Sequence, residues 1–190
     1  MTQPLETHPF APFVPEGAKF LFLGTFPPKP LRWGMDFYYP NPSNDFWRIM
    51  GIIYFDDPWH LFTADHKHFR EEEIKEFLRR EKIALNDTGY RVRRLKDNAS
   101  DKFLDIVEPV DLASLLAKAP DCTNLATTGE KAAEVLARLT ATTAPAIGEV
   151  VETVWAPDGR TLRITRLPST SRAYPLAIAK KAEAYRKFLK

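Results

Sequence analysis

Short apolar runs alternate with amphipathic stretches along the chain, and that rhythm predicts most of its elements. Residues 19–24, KFLFLG, are an apolar run closed by glycine, the pattern of a strand buried on both faces. Residues 44–53 carry Phe46, Trp47, Ile49, Met50 and Ile53 at helical spacing, with Asn44 placed to cap them. A charged, helix-forming stretch over 66–81 leads into a second short strand over 82–86. Residues 91–101 are polar and basic, and predict a surface loop. A helix over 110–118 starts near Pro109, a third strand spans 123–127, and an alanine-rich helix follows over 130–139. Strands over 150–155 and 161–167 flank Pro157-Asp158-Gly159-Arg160, a hairpin turn signal, and a last helix covers 176–189. Strands alternating with helices predict an α/β sandwich with a mainly parallel sheet. Ligands in such folds bind beyond the carboxyl ends of the strands. Those ends are Gly24-Thr25-Phe26, Asn86-Asp87-Thr88, Thr127-Thr128-Gly129 and Pro168-Ser169-Thr170.

Length and composition narrow the class. With 190 residues the chain fits one domain, residues 1–17 forming a proline-rich, irregular arm. No apolar run approaches the roughly 18 residues of a spanning helix, and the arm lacks the order of a signal peptide, so a cytoplasmic location and no membrane contact are expected. A single cysteine, Cys122, excludes an internal disulfide and a four-thiolate cluster. Net charge is only +2, but residues 160–190 hold nine Lys and Arg against one acid, Glu183. A basic end on a near-neutral protein points to an anionic partner. The alternative is a solvated basic helix face.

Three segments could carry chemistry. Gly24-Thr25-Phe26-Pro27-Pro28 turns tightly at a strand end and then stiffens, which suits presenting backbone amides to a ligand. The loop after it is dense in rings: Trp33, Phe37, Tyr38, Tyr39, then Phe46 and Trp47. Long loops without regular structure are uncommon and often functional, and disordered ones lack aromatics. Tyr39 could stack on a base, worth about 1–3 kcal/mol. Asn44 offers an uncharged amide able to orient a water. Equally, Asn44 could only cap its helix while the rings fill the core. The third segment is Leu167-Pro168-Ser169-Thr170-Ser171-Arg172-Ala173-Tyr174-Pro175, three hydroxyls followed by Arg and Tyr, suited to phosphates or to a helix cap. Other candidates fall away. His60, His66 and His68 make no ligand pattern, so no metal is expected. Thr128-Gly129-Glu130-Lys131 lacks the rest of a phosphate-binding loop, and Cys122 reads as a small core residue.

Together the three segments resemble the uracil-DNA glycosylase superfamily, in particular its mismatch-specific and hypoxanthine-DNA glycosylase branches. The resemblance lies in Gly24-Thr25-Phe26-Pro27 (a Gly-x-x-Pro strand end), Asn44-Asp45-Phe46-Trp47 (Asn-x-Phe-Trp) and Leu167-Pro168-Ser169-Thr170-Ser171. Gly129-Glu130-Lys131-Ala132 and Glu183-Ala184-Tyr185-Arg186 add to it. It spans residues from about 18 to 190. Phe26 departs from branches with an amide or carboxylate near that position, and the hypoxanthine branch shares this absence. Asn86 stands where that branch often has a large apolar residue. The cysteine count excludes the iron–sulfur branch.

The resemblance implies a three-layer α/β/α sandwich with a central, mainly parallel four-stranded sheet. It also implies hydrolysis of the N-glycosidic bond of a deaminated base, uracil or hypoxanthine, in double- or single-stranded DNA. Asn44 falls at the proposed catalytic position. Gly24, Thr25, Phe26, Tyr39 and Asn86 fall around the base. Ser169, Thr170, Ser171, Arg172, Ala173 and Tyr174 fall in the loop that contacts DNA and fills the vacated stack. A monomer without cofactor is expected. Two other readings stay open: a binding module on the same fold that does not cut, and an enzyme acting on free nucleotides.

Overall fold

The computed structural model describes residues 3–96 and 101–190. Its elements are β1 (Leu5–Thr7), β2 (Phe20–Gly24), α1 (Phe46–Phe55), α2 (Glu71–Glu81), β3 (Ile83–Asp87), β4 (Gly89–Arg94), β5 (Leu104–Pro109), α3 (Leu112–Ala117), β6 (Asn124–Thr127), α4 (Glu130–Leu139), β7 (Val150–Val154), β8 (Thr161–Arg166) and α5 (Ile178–Phe188). The main sheet has the order β3-β2-β6-β8-β7. Its first four strands run parallel, and β7 lies antiparallel on β8. This corrects the expected four-stranded sheet. The Pro157–Arg160 turn, closed by Trp155 N donating to Arg160 O at 2.8 Å with Gly159 at φ +76°, folds β7 back as a fifth, edge strand.

The apolar runs are continuous because both faces of the sheet are covered. On one face Phe22, Ile83 and Leu85 pack against Phe46, Trp47 and Ile49 of α1, Ile74 and Phe77 of α2, and Tyr185 of α5. On the other, Leu21, Leu23, Ala84, Leu125 and Ile164 pack against Leu112 and Leu115 of α3 and Leu136 of α4. Consecutive residues of β2 thus serve opposite layers, as the pleat requires. The result is the expected three-layer sandwich.

A second, antiparallel sheet of order β1-β4-β5 was not expected. The arm is not wholly irregular, because Leu5–Thr7 pairs with residues 91–93. Nor is the whole of 91–101 a surface loop, since residues 91–94 belong to β4; residues 97–100 lie outside the described residues. The sequence hid β4 because Val92 is its only fully buried aliphatic side chain among arginines. Arg91–Glu108 (3.6 Å) and Arg93–Asp105 (3.9 Å) pair across β4 and β5 on the wet side, each worth little. The inward Arg94 matters more. It is 7 % exposed, and it donates through Nε to Glu6 (2.9 Å) and through Nη2 to Pro27 O (2.6 Å). The small sheet therefore clamps the loop that follows β2. Among the described residues no helix is long and apolar enough to cross a membrane.

Candidate functional site

A cleft of about 1000 Å³ opens beyond the carboxyl ends of β2, β3, β6 and β8. All three segments singled out in the sequence reach it. Gly24, Thr25 and Phe26 form its floor, Tyr39 and Asn44 one wall, and residues 169–174 the rim. Asp87, Thr128 and Lys131 line it as well.

The floor is held by neighbouring backbone. Thr88 N donates to Gly24 O and Gly89 N to Thr25 O, both at 2.9 Å. Gly24 is glycine for a steric reason: a Cβ there would lie 2.5 Å from Asp87 Oδ1 and 3.4 Å from Tyr39 Oη. Tyr39 has φ +52°, a left-handed conformation costly for a bulky residue. One face of its ring stacks on Phe46, with centroids 3.8 Å apart and planes 7° from parallel. Its hydroxyl pairs with Thr128 Oγ1 at 3.0 Å. Burial, then the Asp87 charge, holds this phenol far above its ordinary pKa, so it is a neutral ring. With Phe46 fully buried behind it, the partly buried Tyr39 lines the cleft.

Asn44 does two things at once. Its Oδ1 accepts from Phe46 N at 2.9 Å, which fixes which way the amide points; the N-cap of α1 is Asp45, so Asn44 does not cap the helix as expected but closes a turn one residue before it. The side chain still lines the cleft, and its NH₂ group and second oxygen lone pair are the groups not used by that bond.

Asn86 does not line the cleft. It is 5 % exposed, accepts from Tyr38 Oη at 2.8 Å, and faces a smaller pocket of about 280 Å³ beside α3. Asp87, one residue on, lines the cleft in its place. A buried neighbour comes from the arm, which sequence reading set aside: His8 Nε2 lies 2.8 Å from Asp87 Oδ2. Asp101 is a third group not foreseen, its Oδ2 accepting from Thr25 Oγ1 at 2.7 Å. Burial raises the Asp101 pKa; the Thr25 bond opposes this, Asp87 adds to it, and Lys131 and Arg94 pull it down. His60 and His66 instead stack on Phe55 and Trp59 (3.9 and 4.1 Å), while His68 meets Asp65 in the open. Cys122 is fully buried, and burial pushes its thiol up to about 12.

The rim loop is pinned from beneath. Asp45 N donates to Thr170 O at 2.8 Å. Lys181 on α5, 1 % exposed, donates to Asp45 Oδ2 and to Ser171 O, each at 2.8 Å. Its ammonium also sits 5.7 Å from the Tyr174 ring centre. Tyr185 Oη holds Pro168 O at 2.9 Å. Above these anchors Arg172 and Ala173 are exposed and Tyr174 half-buried, and α5 begins only at Ile178. Ser169 Oγ and Ser171 Oγ accept from the amides of Ser171 (3.2 Å) and Ala173 (3.3 Å), so they shape the turn while their O–H groups can still donate.

No family model matches the sequence, and no curated protein does. A solved structure does match: the solution NMR structure of a protein from Methanosarcina acetivorans, provisionally described as a uracil DNA glycosylase. The match has 22 % identity and a TM-score of 0.61, and covers 98 % of this chain and 99 % of the other. The two chains share a fold.

The basic residues of the C-terminal stretch 160–190 divide into structural and available cations. Arg160 is spent on the end of α3, donating to Leu116 O (2.7 Å), Ala119 O (2.5 Å), Pro120 O (2.8 Å) and Cys122 O (3.0 Å). Lys181 is buried, and Arg163 pairs with Glu152 at 3.3 Å. Arg172 remains on the cleft rim, joined there by Arg32 and Lys102 from earlier in the chain.

Proposed function

We propose that the protein is a DNA glycosylase that hydrolyses the N-glycosidic bond of a deaminated base, hypoxanthine or uracil. The observation that carries this reading is the convergence of the three motif segments on one cleft, with a stacking ring, a fixed amide and a cationic rim. The fold shared with the archaeal protein supports it.

The target base must leave the stack before its glycosidic bond can be reached. Tyr39, backed by Phe46, offers it a ring to stack on, and Arg172 and Tyr174 stand where the vacated stack can be filled. The bond from C1′ to nitrogen then lengthens, leaving a cationic sugar and an anionic base. Backbone amides of the Thr25–Phe26 turn face that negative charge, as oxyanion-hole donors do. Asn44 orients the water that attacks C1′. Phe26 adds no polar group to the floor, an absence shared with the hypoxanthine branch that the sequence resembles, and that likeness favours hypoxanthine over uracil as substrate. Lys131 lines the cleft, but its ammonium donates to Leu104 O. An amine so engaged is a poor imine-forming nucleophile, and a monofunctional enzyme leaving the strand uncut is proposed.

The test is to score one set of oligonucleotides both for retention and for alkali-labile abasic sites. Retention with abasic product supports the glycosylase; retention without it on any lesion would make the chain a binding module. Turnover of free nucleotides alone would move the activity off DNA.

A further inference from the structure

Asn44 can orient a water but does not take its proton, so a nearby proton acceptor would speed the proposed hydrolysis. We propose that Asp87 is a catalytic residue that accepts the proton of the attacking water, with His8 as its positioning residue. This rests on the glycosylase reading above.

The geometry is that of a carboxylate with one oxygen fixed and the other turned to the floor of the cleft. Oδ2 is held by His8 Nε2 at 2.8 Å, and the two side chains are 9 % and 4 % exposed. Because Nε2 faces a carboxylate, it carries a proton. Nδ1 then accepts from Phe10 N (3.2 Å) in the neutral ring, or donates to Phe10 O (3.0 Å) in the imidazolium. The ring cannot swing. It stacks with Tyr38 (5.7 Å), meets Phe26 edge-on (5.2 Å), and its own backbone N donates to Tyr90 O at 2.8 Å. Oδ1 lies over the bare Cα of Gly24, where a side chain would collide with it at 2.5 Å. A base oriented by a third group in this way is the usual arrangement for proton transfer.

The neighbours do not compete for the role. The groups that act on or are acted on by Asp87 are His8, Tyr38, Tyr39 and Asp101. Both phenols are held neutral by burial, and His8 is committed as a donor. Asp101 accepts from Thr25 through Oδ2, and its burial disfavours the carboxylate form that a base must start from. In the step, the water O–H bond breaks and its proton passes to Asp87 Oδ1. The oxygen bonds to C1′, and the C1′–N pair leaves with the base. The proton then passes to the base anion or to bulk water, which restores the carboxylate.

The test uses the full chain and a duplex with one hypoxanthine under single-turnover conditions. Asp87→Asn keeps the size of the side chain and an acceptor for His8 Nε2. It should lower the rate by about 10²–10⁴-fold with the duplex Kd within about twofold. Asp87→Ala should regain part of its rate in added sodium formate, which supplies a small carboxylate to the vacated space, whereas Asp87→Asn should not. His8→Gln, which retains a donor, should stay faster than His8→Ala. A folded Asp87→Asn at the wild-type rate would overturn the assignment, as would an Asp87→Ala whose deficit is unmoved by formate. Should the alanine variant not fold, the asparagine variant alone decides. A wild type that releases no base from any lesion would instead overturn the glycosylase reading.

Discussion

Asn44 spends its amide oxygen on the first N–H of α1, and the rest of the group faces the cleft. Removing it should therefore have two separable effects. Asn44→Ala is expected to cost about 1 kcal/mol of stability through the lost bond to the Phe46 amide. It should also slow single-turnover excision by roughly 10²-fold or more, with DNA affinity nearly unchanged. Chemical denaturation and rapid-quench kinetics read the two separately; a wild-type rate in the folded variant would reduce Asn44 to a turn-forming residue. Asp101 offers a second test through its raised pKa, caused first by burial. A carboxyl with a higher pKa in the folded than in the unfolded state favours folding fully below the unfolded value, near 3.9. That contribution is lost as pH rises through the folded value. Asp101→Asn retains an acceptor for Thr25 and has no charge to bury. The difference in unfolding free energy, variant minus wild type, should therefore rise as pH increases from 4 upward and then level off; a flat difference would contradict the shift. The residue scale is also where sequence reading slipped by one place. Asn86 and Asp87 are both polar at a strand end, and every residue of β3 is buried, so no alternation marked which one reached the cleft. His8 lay in a proline-rich arm with no periodic signal, and only tertiary pairing brings it to Asp87.

At the scale of elements, period and turn chemistry were legible wherever burial governed the pattern. β2 and β6 are short apolar runs and α4 an amphipathic one, each with glycine at or near a boundary, and they fold where the pattern put them. β4 escaped because its arginines are strand residues paired to acids, a choice set by Glu6, Asp105 and Glu108 far off in sequence. The rim loop shows both sides. Pro175 disfavours a helix just before it, and residues 172–176 do stay outside α5. The Lys181–Asp45 pair beneath the loop was invisible, because a lysine in a basic helix reads as solvated. With this anchor the tip is a fixed protrusion. Replacing both Arg172 and Tyr174 by Gly should lower excision from duplex far more than from single strands, where no stack needs refilling. The ratio of the two rates is the measurement; an equal loss on both would mean that the loop makes phosphate contacts only.

Across the whole molecule, a net charge of +2 conceals an uneven field. Of the nine C-terminal cations Arg160 and Lys181 are taken up inside, and of the others Arg172 stands with Arg32 and Lys102 at the mouth of the cleft. Three such cations predict a slope of about −2.7 for log affinity against log salt on undamaged duplex, at about −0.9 per phosphate. Fluorescence anisotropy across a salt series measures it, and a slope near zero would remove nucleic acid as the partner. The architecture supports one further expectation, and it is the central one. The glycosylase proposed for this cleft, lined by the Thr25–Phe26 turn, the Tyr39 ring, Asn44 and Arg172, should release a free base and leave an abasic strand. The direct measurement is a panel of duplexes, each with a single hypoxanthine, uracil or xanthine beside an undamaged control, scored for abasic sites over time. Abasic sites on the hypoxanthine duplex, slower formation on uracil and none on the control are the predicted result; duplex binding with no abasic site on any lesion would contradict it.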